Sequence, residues 1–137
     1  MKLLLTSNGL KNLELEQAFL ELTGNKKGLT VAIIPTASDA IDWVPEKEGS
    51  KKYVPKLKEL TPEEQIKKES RSREYKQSYE EQGHRVVVVD LKEDPARVRE
   101  TLETVDVIDV PGGDPNYLVD WAKKAKMGTY LKNLLER

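Results

Sequence analysis

The chain predicts an α/β domain of three layers, a mostly parallel sheet with helices on both faces. Three observations predict it. Short β-branched runs alternate with amphipathic helical stretches over most of the 137 residues, the pattern that right-handed βαβ crossovers impose. Two runs, Val31-Ala32-Ile33-Ile34 and Val86-Val87-Val88-Val89, are apolar throughout, as strands buried on both faces are. A third, Val107-Ile108-Asp109-Val110, empties through Pro111 into Gly112-Gly113 and then at once into a helical pattern. Such strand-to-helix turns form the carboxyl edge of a parallel sheet, where α/β proteins bind ligands.

Taken in order, Leu3–Thr6 is a short strand candidate followed by the turn-like Ser7-Asn8-Gly9. Leu15, Ala18, Phe19 and Leu22 keep helical spacing, and Gly24-Asn25 ends that helix. Val31–Ile34 is closed by Pro35, and Thr36-Ala37-Ser38-Asp39 follows as a polar loop. Thr61-Pro62-Glu63-Glu64 has the composition of a capping box with proline at the first helical position. The helix it opens runs to Gln82 and stops at Gly83. Its apolar residues, Ile66, Tyr75 and Tyr79, are too few for a core face. The expectation is a first half projecting into solvent or onto a partner, and a second half seated on the sheet by the tyrosines. After Val86–Val89, Asp94-Pro95 caps a helix whose Val98, Leu102 and Val105 turn inward. The fourth strand, Val107–Val110, precedes helices at 116–126 and from Thr129 onward. The reading is one domain over residues 1–137, with a charged, partly helical insertion at about 44–74.

At this length a single domain buries roughly two-thirds of its unfolded surface. Basic and acidic residues number 23 and 24, a net charge of −1, which gives no general case for nucleic acid or an acidic membrane as partner. Cysteine is absent, which excludes disulfides, thiolate metal sites and cysteine nucleophiles. The apolar run at the N-terminus is too short for a signal peptide or membrane span. A soluble, cytoplasmic protein is the expectation. Charged residues make up 34% of the chain, above the usual quarter or so, and the excess is concentrated between Glu46 and Glu81.

Two glycines at a strand end present backbone N–H groups that can approach a ligand oxygen closely. Preorganised donors of this kind suit an oxyanion hole or a phosphate cradle. A tight turn with no ligand accounts for the same pair. Asp114 fits a substrate contact or an N-cap for the helix that opens at Pro115. His84 is the only histidine. It lies just past Gly83 at the amino end of a strand, the edge opposite to ligand sites, and reads as a solvent-exposed turn residue. Ser7, Thr36 and Ser38 lie at carboxyl strand ends but lack the context of a nucleophile elbow, so they read as cleft-lining or capping residues. Asp39, Asp42, Asp90, Asp106 and Asp109 are scattered, with no metal-ligand spacing. Lys51-Lys52 and Lys67-Lys68 have glutamate neighbours and read as a solvated face. Trp43 and Trp121 read as packing residues.

Leu3–Leu10, Ala32-Ile33-Ile34-Pro35-Thr36-Ala37-Ser38 and Val107–Leu118 resemble three successive motifs of the family that comprises peptidase E and cyanophycinase. The resemblance covers about residues 1–45 and 78–137. It implies a class I glutamine amidotransferase-like fold and amide hydrolysis through a serine acyl-enzyme. It further implies that Gly112 and Gly113 form the oxyanion hole, that Asp114 and Asn116 lie beside the substrate, and that no cofactor or metal takes part. The substrate would be a small peptide or amide. The stretch from about Trp43 to Arg73 is longer than the family's connection. No Gly-x-Ser-x-Gly occurs in the chain, and the family's histidine follows that motif, so the chain matches the family's N-terminal part and is expected to be inactive alone. The alternatives are a non-catalytic or engineered α/β domain acting through self-assembly, since an uncovered sheet edge favours a homo-oligomer, and one that binds a small anion at the Gly-Gly loop.

Overall fold

The computed structural model describes residues 2–6 and 13–136; the Ser7-Asn8-Gly9 turn and Ser7 as a site candidate lie outside them. Four strands, β1 (Lys2–Thr6), β2 (Thr30–Ile33), β5 (Arg85–Val88) and β6 (Val107–Pro111), form a parallel sheet in the order β1-β6-β2-β5. Val31 is in register with Val107 on one side and Val86 on the other. The mixed α/β architecture with a small parallel sheet flanked by helices is therefore as expected.

Side chains of β2 alternate between the two faces. Val31 and Ile33, with Val107, pack against Phe19 of α1 (Leu13–Thr23) and Tyr75 and Tyr79 of α2 (Pro62–Glu80). Ala32 and Ile34, with Ile108, face Val98 and Leu102 of α3 (Pro95–Glu103) and Met127 of α5 (Met127–Leu135). Leu118, Trp121 and Ala122 of α4 (Pro115–Lys124) pack on that same cluster. Val98, Leu102 and Val105 are buried as their spacing predicts.

Helix α2 begins with the predicted capping box. The Glu64 N–H donates to Thr61 Oγ1 and the Thr61 N–H donates to Glu64 Oε2. Only Tyr75, Ser78 and Tyr79 of its 19 residues are buried, so the second half sits on the sheet while Ile66, in the first half, is exposed.

Four expectations are corrected, the first being burial of Val86–Val89 on both faces: among the described residues β5 is an edge strand of the sheet, and its Val88 is 57% exposed. The charged region from 44 onward contains an antiparallel hairpin, β3 (Ile41–Pro45) and β4 (Tyr53–Leu57), with Ile41 opposite Leu57 and Pro45 opposite Tyr53. None of its ten residues is fully buried, so no apolar alternation marks it in the sequence. Trp43, on this hairpin, is 38% exposed and is held by a hydrogen bond from Nε1 to Asp114 Oδ2 at 2.8 Å rather than by packing. His84 is buried, 5% exposed. The Gly28 N–H donates to the Gly83 carbonyl, and this joining of two turns folds the imidazole under the sheet. There it stacks edge-on to Phe19 at 5.2 Å and accepts the Leu29 N–H at Nδ1. Among the described residues, no helix is long and apolar enough to cross a membrane.

Candidate functional site

The carboxyl edge of the parallel sheet collects the residues with chemical potential. Strand β2 leaves through Pro35 into a 3-10 turn at Thr36–Ser38, and β6 leaves through Gly112-Gly113 into α4. The two exits touch. A Cβ built on Gly113 would lie 1.8 Å from the Ala37 carbonyl oxygen, and the Asp114 N–H donates to that same oxygen at 2.8 Å. Gly113 is therefore explained by backbone packing, whereas Gly112 is exposed and lines a cleft of about 610 Å³.

The opposite wall of this cleft is the first half of α2. Tyr79, Tyr75, Arg71 and Lys67 follow one another at four-residue steps on one helix face. The two tyrosines are buried on the sheet, and beyond them the same stripe turns cationic over the cleft through Arg71, Lys68 and Lys67, with Arg73 also reaching its wall. None of these four has an acidic partner within salt-bridge distance among the described residues. Glu64, the carboxylate on that wall, is engaged in the capping box. Lys67 is exposed and Lys68 half-buried, in keeping with a solvated face, but the sequence reading does not join them to Arg71. The signal was present: stepping back by fours from the tyrosine pair lands on Arg71 and Lys67.

The tyrosines are fixed by Asp109, which is fully buried on β6. Tyr75 donates to Asp109 Oδ1 at 2.9 Å and Tyr79 donates to Oδ2. Burial, and then the Asp109 charge, raise the Tyr79 pKa far above the ordinary phenol value, so its hydroxyl remains a donor. Two of the scattered aspartates of the sequence, Asp39 and Asp90, meet in a second network. Lys92 Nζ lies 2.6 Å from Asp39 and 3.4 Å from Asp90. Tyr117 donates to Asp39 at 3.0 Å, and Thr36 Oγ1 donates to Asp90 and accepts the Leu91 N–H. Burial lowers the Lys92 pKa, but the hydrogen bond and charge of Asp39, with Asp90, outweigh it and leave the ammonium raised. A lysine so held is a cross-brace rather than a base.

Asp114 caps α4 by accepting the Tyr117 N–H at 3.0 Å and accepts Trp43 Nε1 on its other oxygen. The Trp43 bond, and then the Tyr117 N–H, lower its pKa. Asn116 is exposed and faces a separate groove of about 670 Å³ between α4 and the hairpin, with Trp43 and Tyr53. The four residues that the sequence grouped at one site thus fall in three surroundings. Gly112 is in the cleft, Gly113 and Asp114 are in the turn packing, and Asn116 is in the groove.

Ser38 borders the cleft and donates to the Pro35 carbonyl at 2.6 Å. His84 precedes β5 at the amino edge, separated from Ser38 by the length of the sheet, about 13 Å at 3.3 Å per residue. No serine is paired with an imidazole among the described residues. What the edge does provide is a cleft lined both by the α2 cations and by Gly112. Comparison with models of protein families, with curated proteins and with solved structures found no match for this chain.

Proposed function

We propose that this chain is an anion-binding α/β domain whose ligand lies between Gly112 and the first half of α2. The observation that carries this reading is the stripe of Lys67, Lys68 and Arg71, turned toward the glycine edge where an amphipathic helix would continue its apolar face. Arginine and lysine within one helical turn suit a compact oxyanion. Calorimetric titration with pyrophosphate tests it. Binding at low salt that falls about tenfold or more in Arg71→Glu, a loss of about 1.4 kcal/mol, supports the proposal, and absence of binding in the unaltered chain removes it.

The finer fold, class I glutamine amidotransferase-like, and descent from the peptidase E family belong to this proposal. The order and spacing of the three resembling motifs support them, as does a parallel sheet with Gly112 at its carboxyl edge. Under this reading the chain keeps the anion-binding edge and hydrolyses no amide by itself, because Ser38 and His84 lie at opposite edges. Turnover of an aspartyl dipeptide that survives purification would reverse it.

The open outer edge of β5 favours a second reading, self-assembly. Among the described residues this strand pairs on one side, with β2, and its Val88 is 57% exposed. A monomer by sedimentation at tens of micromolar removes the homo-oligomer reading; a concentration-dependent dimer supports it.

A further inference from the structure

We infer that the ligand of the cleft is an organic phosphate with an apolar or planar body, a nucleoside diphosphate being a representative of the class. This rests on the anion-binding reading and goes further by assigning the opposite wall. Besides the cations, the cleft is lined by Pro35, Ala40, Leu60, Val88 and Pro111. Val88, which lines the cleft, is 57% exposed overall, although it belongs to a strand of the main sheet. Cationic and apolar side chains line one open cleft of about 610 Å³. That lies within the range of roughly 300–1,000 Å³ typical of sites for small organic ligands, and far exceeds an inorganic anion. The cationic wall calls for more than one negative charge in a compact group, which a phosphoryl chain supplies. The apolar wall gains by covering Val88 and Leu60 with a ring or hydrocarbon, at about 25 cal/mol per Å² removed from water.

The test compares ADP, pyrophosphate and adenosine as titrants of the full chain. ADP is expected to bind about tenfold or more tightly than pyrophosphate, and adenosine undetectably at the same concentrations. Val88→Gln, a change at an exposed edge position, is expected to narrow the ratio of ADP to pyrophosphate affinity to within about threefold, with circular dichroism confirming the fold. Pyrophosphate binding as tightly as ADP, or a ratio unmoved by Val88→Gln, overturns the apolar-body assignment and leaves the anion site standing. Binding of neither phosphate overturns both. Adenosine binding as tightly as ADP overturns the phosphate assignment.

Discussion

A side chain at Gly113 would drive its Cβ, itself fixed to the backbone, into the Ala37 carbonyl oxygen at 1.8 Å, a backbone atom. Neither can swing aside as a side-chain tip would. Gly113→Ala is therefore expected to destabilise the chain by about 1–3 kcal/mol in denaturant unfolding, the cost of overpacking. His84 makes a different residue-scale prediction. Burial, and then the positive charge of Lys27, hold its pKa below the ordinary 6.5. The unfolded chain thus takes up this proton first. Well above pH 6.5 the imidazole is neutral in both states and its contribution is complete; as pH falls through 6.5 toward the folded value, stability declines. It is the only histidine, so its removal isolates the imidazole's share of the slope in that interval. His84→Asn, which keeps an acceptor for the Leu29 N–H, is expected to flatten it in unfolding curves collected across the interval. An unchanged slope would assign it to another group.

Helix α2 is two elements in one. Its second half is anchored by Tyr75 and Tyr79 on Asp109, whereas its first half has Ile66 exposed and no buried residue before Tyr75. The start of the helix therefore depends on its capping box more than on tertiary contacts. Thr61→Ala is expected to cost about 1 kcal/mol locally. Hydrogen exchange would show faster amide exchange over residues 62–71 and unchanged protection around Tyr79. If the anion-binding reading holds, the same variant weakens pyrophosphate binding, because a fraying first turn no longer presents Lys67 and Lys68.

On the scale of the whole molecule, the binding cations are exposed or half-buried side chains around an open cleft, so their attraction is screened by salt. Pyrophosphate affinity is expected to fall several-fold between about 50 and about 200 mM salt, as the screening length shortens from roughly 14 to 7 Å. Affinity indifferent to salt would argue against the cationic wall. The parallel core was legible in the sequence because residues such as Val31–Ile34 are buried on both faces and carry an unbroken apolar run. The hairpin was not, because Ile41–Leu57 buries neither face fully and leaves no periodic trace. The candidate site was half legible. The glycine edge follows from strand and turn chemistry alone, but the wall opposite it depends on which side of α2 meets the sheet, which the sparse apolar residues barely mark. His84 was misread for a related reason: its burial comes from the meeting of the Gly28 and Gly83 turns, 55 positions apart, and no local pattern encodes that.

Pairing of Ile41 with Leu57 brings the points where the chain leaves and rejoins the domain side by side. The Lys58 N–H closes the stem on the Ala40 carbonyl at 3.0 Å. An appendage whose two ends already meet adds almost nothing to the loop-closure entropy of the body that carries it. It can thus be shortened to a tight turn, or opened at the Gly49–Ser50 tip to receive a fluorescent reporter or a new terminus, without re-threading the sheet. Trp43 hydrogen-bonds the Asp114 cap of α4, so emission from that indole would register whether such a graft remains docked.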